Sequence, residues 1–232
     1  MGIGQLLEKL FITHPFFRLN HNVWSGRMFD KRVTVAITGA SGVQYGLRLI
    51  ELLVKAEVQV FVMISKAAQI VMATETSFKL PGQAAAQEVH MTQVFAAKEN
   101  QIKVFNKEQW FSPVASGSSA PSSMIVVPCS TGCLSAIATG ASNNLIERAA
   151  DVVLKERRKL ILVPRETPYS EIHLEHMLKL TRMGAVIMPA SPGLYHNPES
   201  IADLIDFIVA RLLDHVGIDQ TLIERWGESA LS

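Results

Sequence analysis

Short apolar runs alternate with longer segments of helical spacing along most of the chain. The apolar runs lack the in–out alternation of a half-exposed strand, which is typical of parallel strands buried on both faces. They predict strands at residues 33–37, 58–64, 102–105, 124–127, 160–163 and 185–188. The segments between them predict helices at residues 45–56, 66–74, 143–158, 171–182 and 198–217. This succession predicts an α/β fold with a doubly wound parallel sheet, in a single domain.

Two stretches interrupt the alternation. Residues 80–100 are rich in Ala and Gln and poorly periodic, so we expect a surface excursion there. Residues 112–123 form a Ser/Pro/Gly/Ala segment between core elements, and loops of that length inside a compact domain are usually functional or mobile. We place the domain at residues 31–218, with an N-terminal extension at 1–30 and a C-terminal tail at 219–232.

Composition narrows the class of protein. Hydrophobic residues make up 48% of the chain, and 22 basic against 21 acidic residues give a formal charge of +1. The balance predicts no binding to nucleic acid, which needs a basic surface. No apolar run is long enough to span a bilayer, and residues 1–30 lack the pattern of a signal peptide, so we expect a cytoplasmic protein. The two cysteines, Cys129 and Cys133, predict neither a disulfide framework nor a metal site.

Polar residues gather where the predicted strands end. In open parallel sheets, ligands bind beyond the carboxyl ends of the strands, so these residues are expected to share one edge. The residues that follow the strands there are Thr38, Gly39, Ser41, Ser65, Cys129, Ser130, Thr131, Gly132, Arg165, Glu166, Thr167, Ser191 and Tyr195. Small hydroxyls, glycines, one arginine and one carboxylate therefore predict a binding site at this edge.

The first of these turns is rich in glycine, with Gly39, Gly42 and Gly46 at spacings of three and four. Such a turn lets backbone N–H groups approach a phosphate at a helix N-terminus, but it also serves tight packing of strand against helix. A dinucleotide-binding dehydrogenase is disfavoured because Ser65 stands where a ribose-binding acid is expected. None of the three tyrosines has a lysine four residues later, as short-chain dehydrogenases require. A monophosphate cofactor fits better.

The motifs in order along the chain resemble those of one family, the flavin prenyltransferases of ubiquinone biosynthesis (UbiX-like). The resemblance covers residues 33–226 nearly without gaps. Its motifs are Thr38-Gly-Ala-Ser-Gly42, Pro128-Cys-Ser-Thr131, Asn144-Leu-Ile-Glu-Arg-Ala-Ala-Asp-Val-Val-Leu-Lys-Glu156, Pro164-Arg-Glu-Thr-Pro168, His173-Leu-Glu-His-Met177 and Asp203-Leu-Ile-Asp-Phe207 with Arg211. It implies a homo-oligomer, a dodecamer, with a flavodoxin-like or Rossmann-like fold that binds FMN.

The resemblance also implies a reaction. Such enzymes transfer a dimethylallyl group from dimethylallyl monophosphate to N5 and C6 of reduced FMN, without a metal. The prenylated FMN then serves a partner decarboxylase. Two other functions stay open: an FMN-dependent decarboxylase of the cysteine-decarboxylase type, whose Pro-x-Met-Asn-x-x-Met-Trp stretch is absent here, and a non-enzymatic flavin carrier.

Carried over by motif, the resemblance implies three sets of site residues. Those expected to bind FMN are Gly39, Ala40, Ser41, Ser65, Ser130, Thr131, Gly132, Cys133 and Arg165. Those expected to bind the dimethylallyl phosphate are Tyr195, Arg211, Ser116, Lys155 and Arg148, the last two being candidates for contribution by adjacent subunits. The catalytic candidates are Glu166, as the proton shuttle, with Ser41, Lys155 and Arg148. Cys133 is a mild departure from the small or hydroxyl residue usual in the family.

Each choice has a structural alternative. Arg148 and Lys155 could form an ordinary surface network with Asp151, and Glu166 could pair with Arg165. Tyr195 could cover the edge of the core. His173 and His176 are expected to be structural, since no further ligands join them for a metal.

Overall fold

The computed structural model describes residues 28–223, and within them the chain forms six strands and seven α-helices. The strands are β1 (Arg32–Ile37), β2 (Gln59–Ile64), β3 (Ile102–Phe105), β4 (Ser123–Cys129), β5 (Lys159–Pro164) and β6 (Val186–Ile187). The helices are α1 (Val43–Lys55), α2 (Lys66–Glu75), α3 (Ala84–Val94), α4 (Thr131–Thr139), α5 (Leu145–Lys155), α6 (Glu171–Arg182) and α7 (Ile201–His215).

All six strands pair in parallel in one sheet, in the order β3-β2-β1-β4-β5-β6. The chain adds β2 and β3 on one side of β1, then crosses to the other side for β4, β5 and β6. This is the Rossmann order of the doubly wound folds, and it confirms the predicted sheet and the single domain. The order reverses between β1 and β4, where Val35 pairs with Ile125.

The two faces of the sheet carry separate clusters of buried side chains. On β1, Val33, Val35 and Ile37 point into one cluster and Ala36 into the other. The first cluster is covered by α1, α2, α3 and α7, and the second by α4, α5 and α6. Both faces of each central strand are therefore apolar, which explains why the strands read as continuous apolar runs.

Two helices were not predicted. The segment at residues 80–100 lies largely at the surface, as expected, but the helix α3 within it was not predicted. That helix has no amphipathic spacing and buries only Gln87 and Met91, so its sequence gave no helical period. Helix α4 was missed for a related reason: small and apolar residues occupy most of its positions. The predicted loop after β3 is real, apart from a 3₁₀ turn at Pro113–Ala115.

Both α5 and α7 end near the amino ends of the strands. The ammonium group of Lys31, just before β1, donates to Gly217 O, and that of Lys159, the first residue of β5, donates to His215 O at 2.5 Å. Helix α5 leads directly into β5, so Lys155 also lies toward this edge. None of the helices in the described part of the chain is long and apolar enough to cross a membrane. The predicted extension and tail lie outside the described residues except for 28–30 and 219–223, so their boundaries stay predictions.

Candidate active site

The side chain of Thr38 ties the carboxyl ends of β1 and β4 together. Its hydroxyl donates to Pro128 O at 2.9 Å and accepts from the N–H of Ser130 at 2.8 Å. Its backbone N–H also donates to Pro128 O, at 3.2 Å, and the residue is 3% exposed. The turn after β1 and the turn after β4 are therefore held side by side at the point where the strand order reverses. The sequence predicted that they share an edge, but not the strand order.

Packing accounts for two of the three glycines in the first turn. A Cβ atom on Gly39 would lie 2.4 Å from Cβ of Ala67 in α2, and one on Gly46 would lie 2.6 Å from the carbonyl oxygen of Val127. Gly42 has φ of +103°, in the left-handed region that favours glycine. The glycine spacing is thus explained by close packing and turn geometry, which was one of the two readings left open.

A carboxylate that the sequence did not single out lies at this turn. Glu75, the last residue of α2, accepts a hydrogen bond from the N–H of Gly42 at 2.8 Å. Helix α2 therefore crosses the turn, with Ala67 against Gly39 and Glu75 at Gly42. A negative charge at this position also favours the N-terminus of α1 electrostatically. The Gly42 N–H is occupied by protein, so a phosphate bound at this edge needs other donors.

Two helix N-termini supply such donors. The hydroxyl of Ser65 accepts from the N–H of Ala68 at 3.1 Å and caps α2, and the hydroxyl of Ser130 accepts from the N–H of Cys133 at 3.3 Å and caps α4. The remaining first-turn N–H groups of a helix have no acceptor within it, so those of Thr131 and Gly132 face the same edge with positive potential. Both serines thus have a structural role beside the predicted one.

Arg165 follows β5 at the same edge, and one of its side-chain hydrogen-bond donors is buried. Its Nε atom is buried and makes no hydrogen bond to any residue in the described part of the chain. Its backbone N–H donates to Cys129 O at 3.4 Å, which places Arg165 beside the turn that carries Ser130. Buried polar groups in native proteins are nearly always paired, so this guanidinium is well suited to an anionic ligand.

Glu166 lines a cleft of about 320 Å³ together with Arg165, Tyr169 and Ser191. No ion pair joins Glu166 to Arg165 within residues 28–223, so the predicted structural alternative does not form; Glu166 instead accepts from the N–H of Thr167 at 3.1 Å. Burial raises the pKa of Tyr169, and the negative charge of Glu166 adds to this effect. Glu166 is therefore a half-buried carboxylate directly beside the arginine.

A second set of predicted residues lies along one face of α7. The ring of Tyr195 meets that of Phe207 edge to face at 5.6 Å, and Arg211 is one turn further along the helix. Tyr195 is 50% exposed, and Arg211 donates to Asp214 at 3.0 Å. Tyr195 and Arg211 thus share one side of α7, next to an aromatic wall.

A third set, Ser116, Arg148 and Lys155, lies on or beside α5. Arg148 donates to Ala115 O at 3.2 Å and pairs with Asp151 at 2.8 Å, and Lys155 pairs with Glu156 at 2.5 Å. The loop that carries Ser116 is held by Arg158, which donates to Gly117 O at 2.6 Å. The surface network foreseen as an alternative for Arg148 is present, although each of these pairs is at least partly exposed and therefore weak.

These last two sets lie on opposite faces of the sheet. Helix α7 covers the first core cluster and α5 the second, and Lys155 at the end of α5 lies toward the amino ends of the strands, away from the edge that carries Arg165. The sequence placed all these residues in one site, but it could not show that they divide between two faces.

The thiols of Cys129 and Cys133 contact each other at the base of the turn after β4. The neighbouring thiol of Cys133, together with burial, raises the pKa of the Cys129 thiol, which donates to Ser130 O at 3.6 Å. Both cysteines are free. Among residues 28–223, no group of three or more His, Cys, Asp or Glu side chains could hold a metal ion. His173 completes a capping box with Ser170 at the start of α6, which is the structural role expected for it.

A Rossmann-ordered sheet with anion-binding groups at its switch point defines a nucleotide- or flavin-binding α/β domain. A family model described as Flavoprotein matches residues 24–213 of the chain. Among curated proteins, the flavin prenyltransferase UbiX of Pseudomonas aeruginosa is 60% identical over 201 residues, which are 87% of this chain and 96% of that protein. The chain belongs to the flavin prenyltransferase family, and it is therefore an enzyme, a transferase.

Solved structures agree with this assignment. A crystal structure of AnUbiX in complex with FMN and dimethylallyl pyrophosphate is 42% identical, with a TM-score of 0.75, covering 84% of this chain and 97% of that one. A dodecameric FMN-dependent UbiX-like decarboxylase from Escherichia coli O157:H7 is 37% identical, with a TM-score of 0.74, covering 84% and 98%. The resemblance seen in the motifs thus extends to the whole described fold.

Proposed function

We propose that the chain transfers a dimethylallyl group from dimethylallyl monophosphate to N5 and C6 of reduced FMN. The observation that carries the proposal is the buried, unpaired guanidinium nitrogen of Arg165 at the switch point, beside the N-termini of α2 and α4. An anionic cofactor at this edge supplies the missing acceptor. The relative solved with FMN and dimethylallyl pyrophosphate supports this choice of ligands.

The residues at this edge fit FMN. Arg165 and the first-turn N–H groups of Thr131 and Gly132 offer donors to its anionic groups, and Ser65 and Ser130 hold the two helix starts in place. Small residues keep the floor of the site open: Gly39, Ala40, Ser41 and Cys133 bring little side-chain bulk to it. When bound and reduced, the flavin supplies the nucleophilic atoms N5 and C6.

The donor phosphate requires residues from both faces of the sheet. Tyr195 beside α7 and Arg211 on α7 would bind it from one copy, and Arg148 and Lys155 would bind it from a neighbouring copy whose α5 faces this site. Ser116 would line the prenyl pocket. Cations on both sides of the phosphate stabilise the charge that it gains as the allylic C–O bond breaks. The ring of Phe207 beside Tyr195 gives the allylic carbon an apolar neighbour that excludes water.

Glu166 is the proposed group for proton transfer. Forming the second bond, to C6 of the flavin, would require that the alkene of the transferred group gains a proton and that C6 loses one. Glu166, in its cleft beside Arg165, would accept the proton released from C6. Ser41 is exposed in the turn next to Gly42, whose N–H is held by Glu75. We propose that the Ser41 hydroxyl assists catalysis from this turn.

This division of the site agrees with assembly into a closed homo-oligomer, and a dodecamer is the proposed state because a dodecameric relative has the same fold. The product, prenylated FMN, would leave the site for a downstream decarboxylase in ubiquinone biosynthesis. The cytoplasm is the proposed compartment.

Mass spectrometry of the flavin tests the reaction. Reduced FMN and dimethylallyl monophosphate, with the diphosphate in a parallel sample, are incubated with the protein under anaerobic conditions. A flavin that gains the mass of one prenyl unit supports the transferase. An unchanged flavin, with binding of the donor shown by calorimetry, contradicts it. An FMN-dependent decarboxylase of the same fold would instead release CO2 from a carboxylic substrate. A flavin carrier would neither prenylate the flavin nor release CO2.

A further inference from the structure

His196 is fixed between two aromatic rings beside the proposed donor site. Its imidazole stacks on Phe207, with centroids 5.1 Å apart and planes at 21°, and meets the ring of Tyr195 at 5.9 Å. A Cβ atom on Gly193 would come within 3.0 Å of Phe207 and 2.9 Å of Tyr195, so residues 193–196 lie tightly against α7. The imidazole therefore has little freedom to rotate toward another hydrogen-bond partner.

Both ring nitrogens of His196 are buried, and neither has a hydrogen-bond partner in residues 28–223. A neutral imidazole carries one N–H donor and one acceptor, and a protonated one carries two donors. Because buried polar groups are nearly always satisfied in native proteins, this ring implies a polar group that a single copy of the chain does not supply. If this position served only for packing, a phenylalanine would stabilise it better, because its ring has no polar atoms to leave unpaired.

The surroundings of His196 favour an anion as the missing group. Arg211 lies one turn beyond Phe207 on the same face of α7, and the phenol of Tyr195 is adjacent. The carboxylate nearest to His196 along the helix, Asp203, is already engaged by the N–H groups of Glu199 and Ser200. These hydrogen bonds lower the pKa of Asp203, and the positive field of His196 contributes to the shift.

We propose that His196 donates an N–H hydrogen bond to the phosphate of the allylic donor, as a further ligand beside Tyr195 and Arg211. The inference rests on the proposed function for the identity of the donor. When the allylic C–O bond breaks, its electron pair stays on the phosphate oxygen, which gains negative charge. The N–H bond strengthens as this charge develops, so His196 contributes to turnover as well as to binding.

Three variants test the role. His196→Phe keeps the stacked ring and removes both nitrogens, while His196→Asn and His196→Gln place an amide N–H near the positions of Nδ1 and Nε2. Binding of inorganic phosphate and of dimethylallyl monophosphate is measured by calorimetry on protein loaded with oxidised FMN, where no turnover occurs. We expect His196→Phe to weaken both at least about tenfold, with FMN affinity unchanged and one amide variant restoring binding.

The melting temperature of the flavin-free protein separates this role from a structural one. Since His196→Phe removes two unpaired buried nitrogens, we expect it to melt at the same temperature as the wild type or higher. Unchanged phosphate affinity in this variant would overturn the proposal. A lower melting temperature together with the loss of both FMN and phosphate binding would also overturn it. Dissociation of the oligomer with phosphate affinity intact would overturn it too, because the nitrogens of His196 would then bind a neighbouring copy.

Two further outcomes remain decisive. If His196→Phe does not fold, the amide variants decide, because the proposal requires at least one of them to bind phosphate about tenfold more weakly. If the wild-type protein binds phosphate but forms no prenylated flavin, the proposed function fails, while the binding series still supports or contradicts the role of His196.

Discussion

Replacing Arg165 by methionine should separate flavin binding from folding. The Nε atom of Arg165 is buried without a partner in the described residues, so in the flavin-free protein this donor contributes a desolvation penalty and no hydrogen bond. Methionine keeps an unbranched apolar stem of similar length and removes the penalty. We therefore expect the flavin-free variant to be as stable as the wild type or more stable, by about 1–3 kcal/mol at most.

Binding should change in the opposite direction. A hydrogen bond from a charged group contributes about 1.5–3 kcal/mol, so loss of the Arg165 guanidinium should raise the Kd for FMN by roughly 10- to 150-fold. Quenching of FMN fluorescence on titration gives the Kd, and thermal unfolding with and without FMN gives the stability. Arg165→Lys keeps the charge but not the planar guanidinium, so its Kd should lie between the two.

Arg182→Met is the matched control, because Arg182 is exposed in the last turn of α6, away from the switch point. It should leave both the Kd and the melting temperature unchanged. An unchanged Kd for FMN in Arg165→Met would refute the assignment of this guanidinium to the flavin. A melting temperature lowered by several degrees, with the Kd intact, would instead make Arg165 a structural residue.

Four other variants have definite expected outcomes. Glu166→Gln should slow formation of prenylated flavin while FMN stays bound, and unaltered turnover in single-turnover kinetics would remove Glu166 from the mechanism. Glu75→Gln should lower the melting temperature by about 1–4 °C, because the N–H of Gly42 loses a charged acceptor at the start of α1, and calorimetry showing no change would contradict this. Gly46→Ala should destabilise the protein by about 1–3 kcal/mol, since its Cβ would lie 2.6 Å from Val127 O. Gly132→Ala, with open space around the new Cβ, should not destabilise the flavin-free protein in the same denaturant titration.

Much of the fold was accessible from the sequence because buried parallel strands read as continuous apolar runs. All six strands were predicted, and the bounds of α6 were predicted as the structure has them. Helix α3 was not, since only Gln87 and Met91 of its residues are buried and its outer positions show no pattern. Local sequence carries no periodic signal where a helix contacts the core at so few points.

The site was predictable to the extent that it lies at strand ends. Thr38, Ser130 and Arg165 follow three different strands, and parallel strands bring those positions to one edge whatever the length of the chain between them. Glu75 could not be found in this way, because it reaches Gly42 only through the direction in which α2 crosses the turn. The unpaired nitrogens of His196 likewise depend on packing against Phe207, which no local pattern encodes.

Arg211 and Lys155, two proposed ligands of the donor phosphate, lie on different helices of the chain. The two helices that carry them cover opposite faces of the sheet. We therefore expect a site that uses both cations to draw Lys155 from a neighbouring copy, as in an oligomer with shared sites. Mixtures of variants test whether two copies share one site.

Activity in mixed oligomers is the most direct measurement. Arg211→Ala and Lys155→Ala are each expected to be nearly inactive alone. Assembled together in equal amounts, they should recover about a quarter of wild-type prenyl transfer, because a site is intact when one copy supplies Arg211 and its neighbour supplies Lys155. Wild type assembled with the double variant should also give about a quarter. No recovery in the first mixture and about half of the activity in the second would show that a single copy supplies both residues to the site, and would contradict a site shared between two copies.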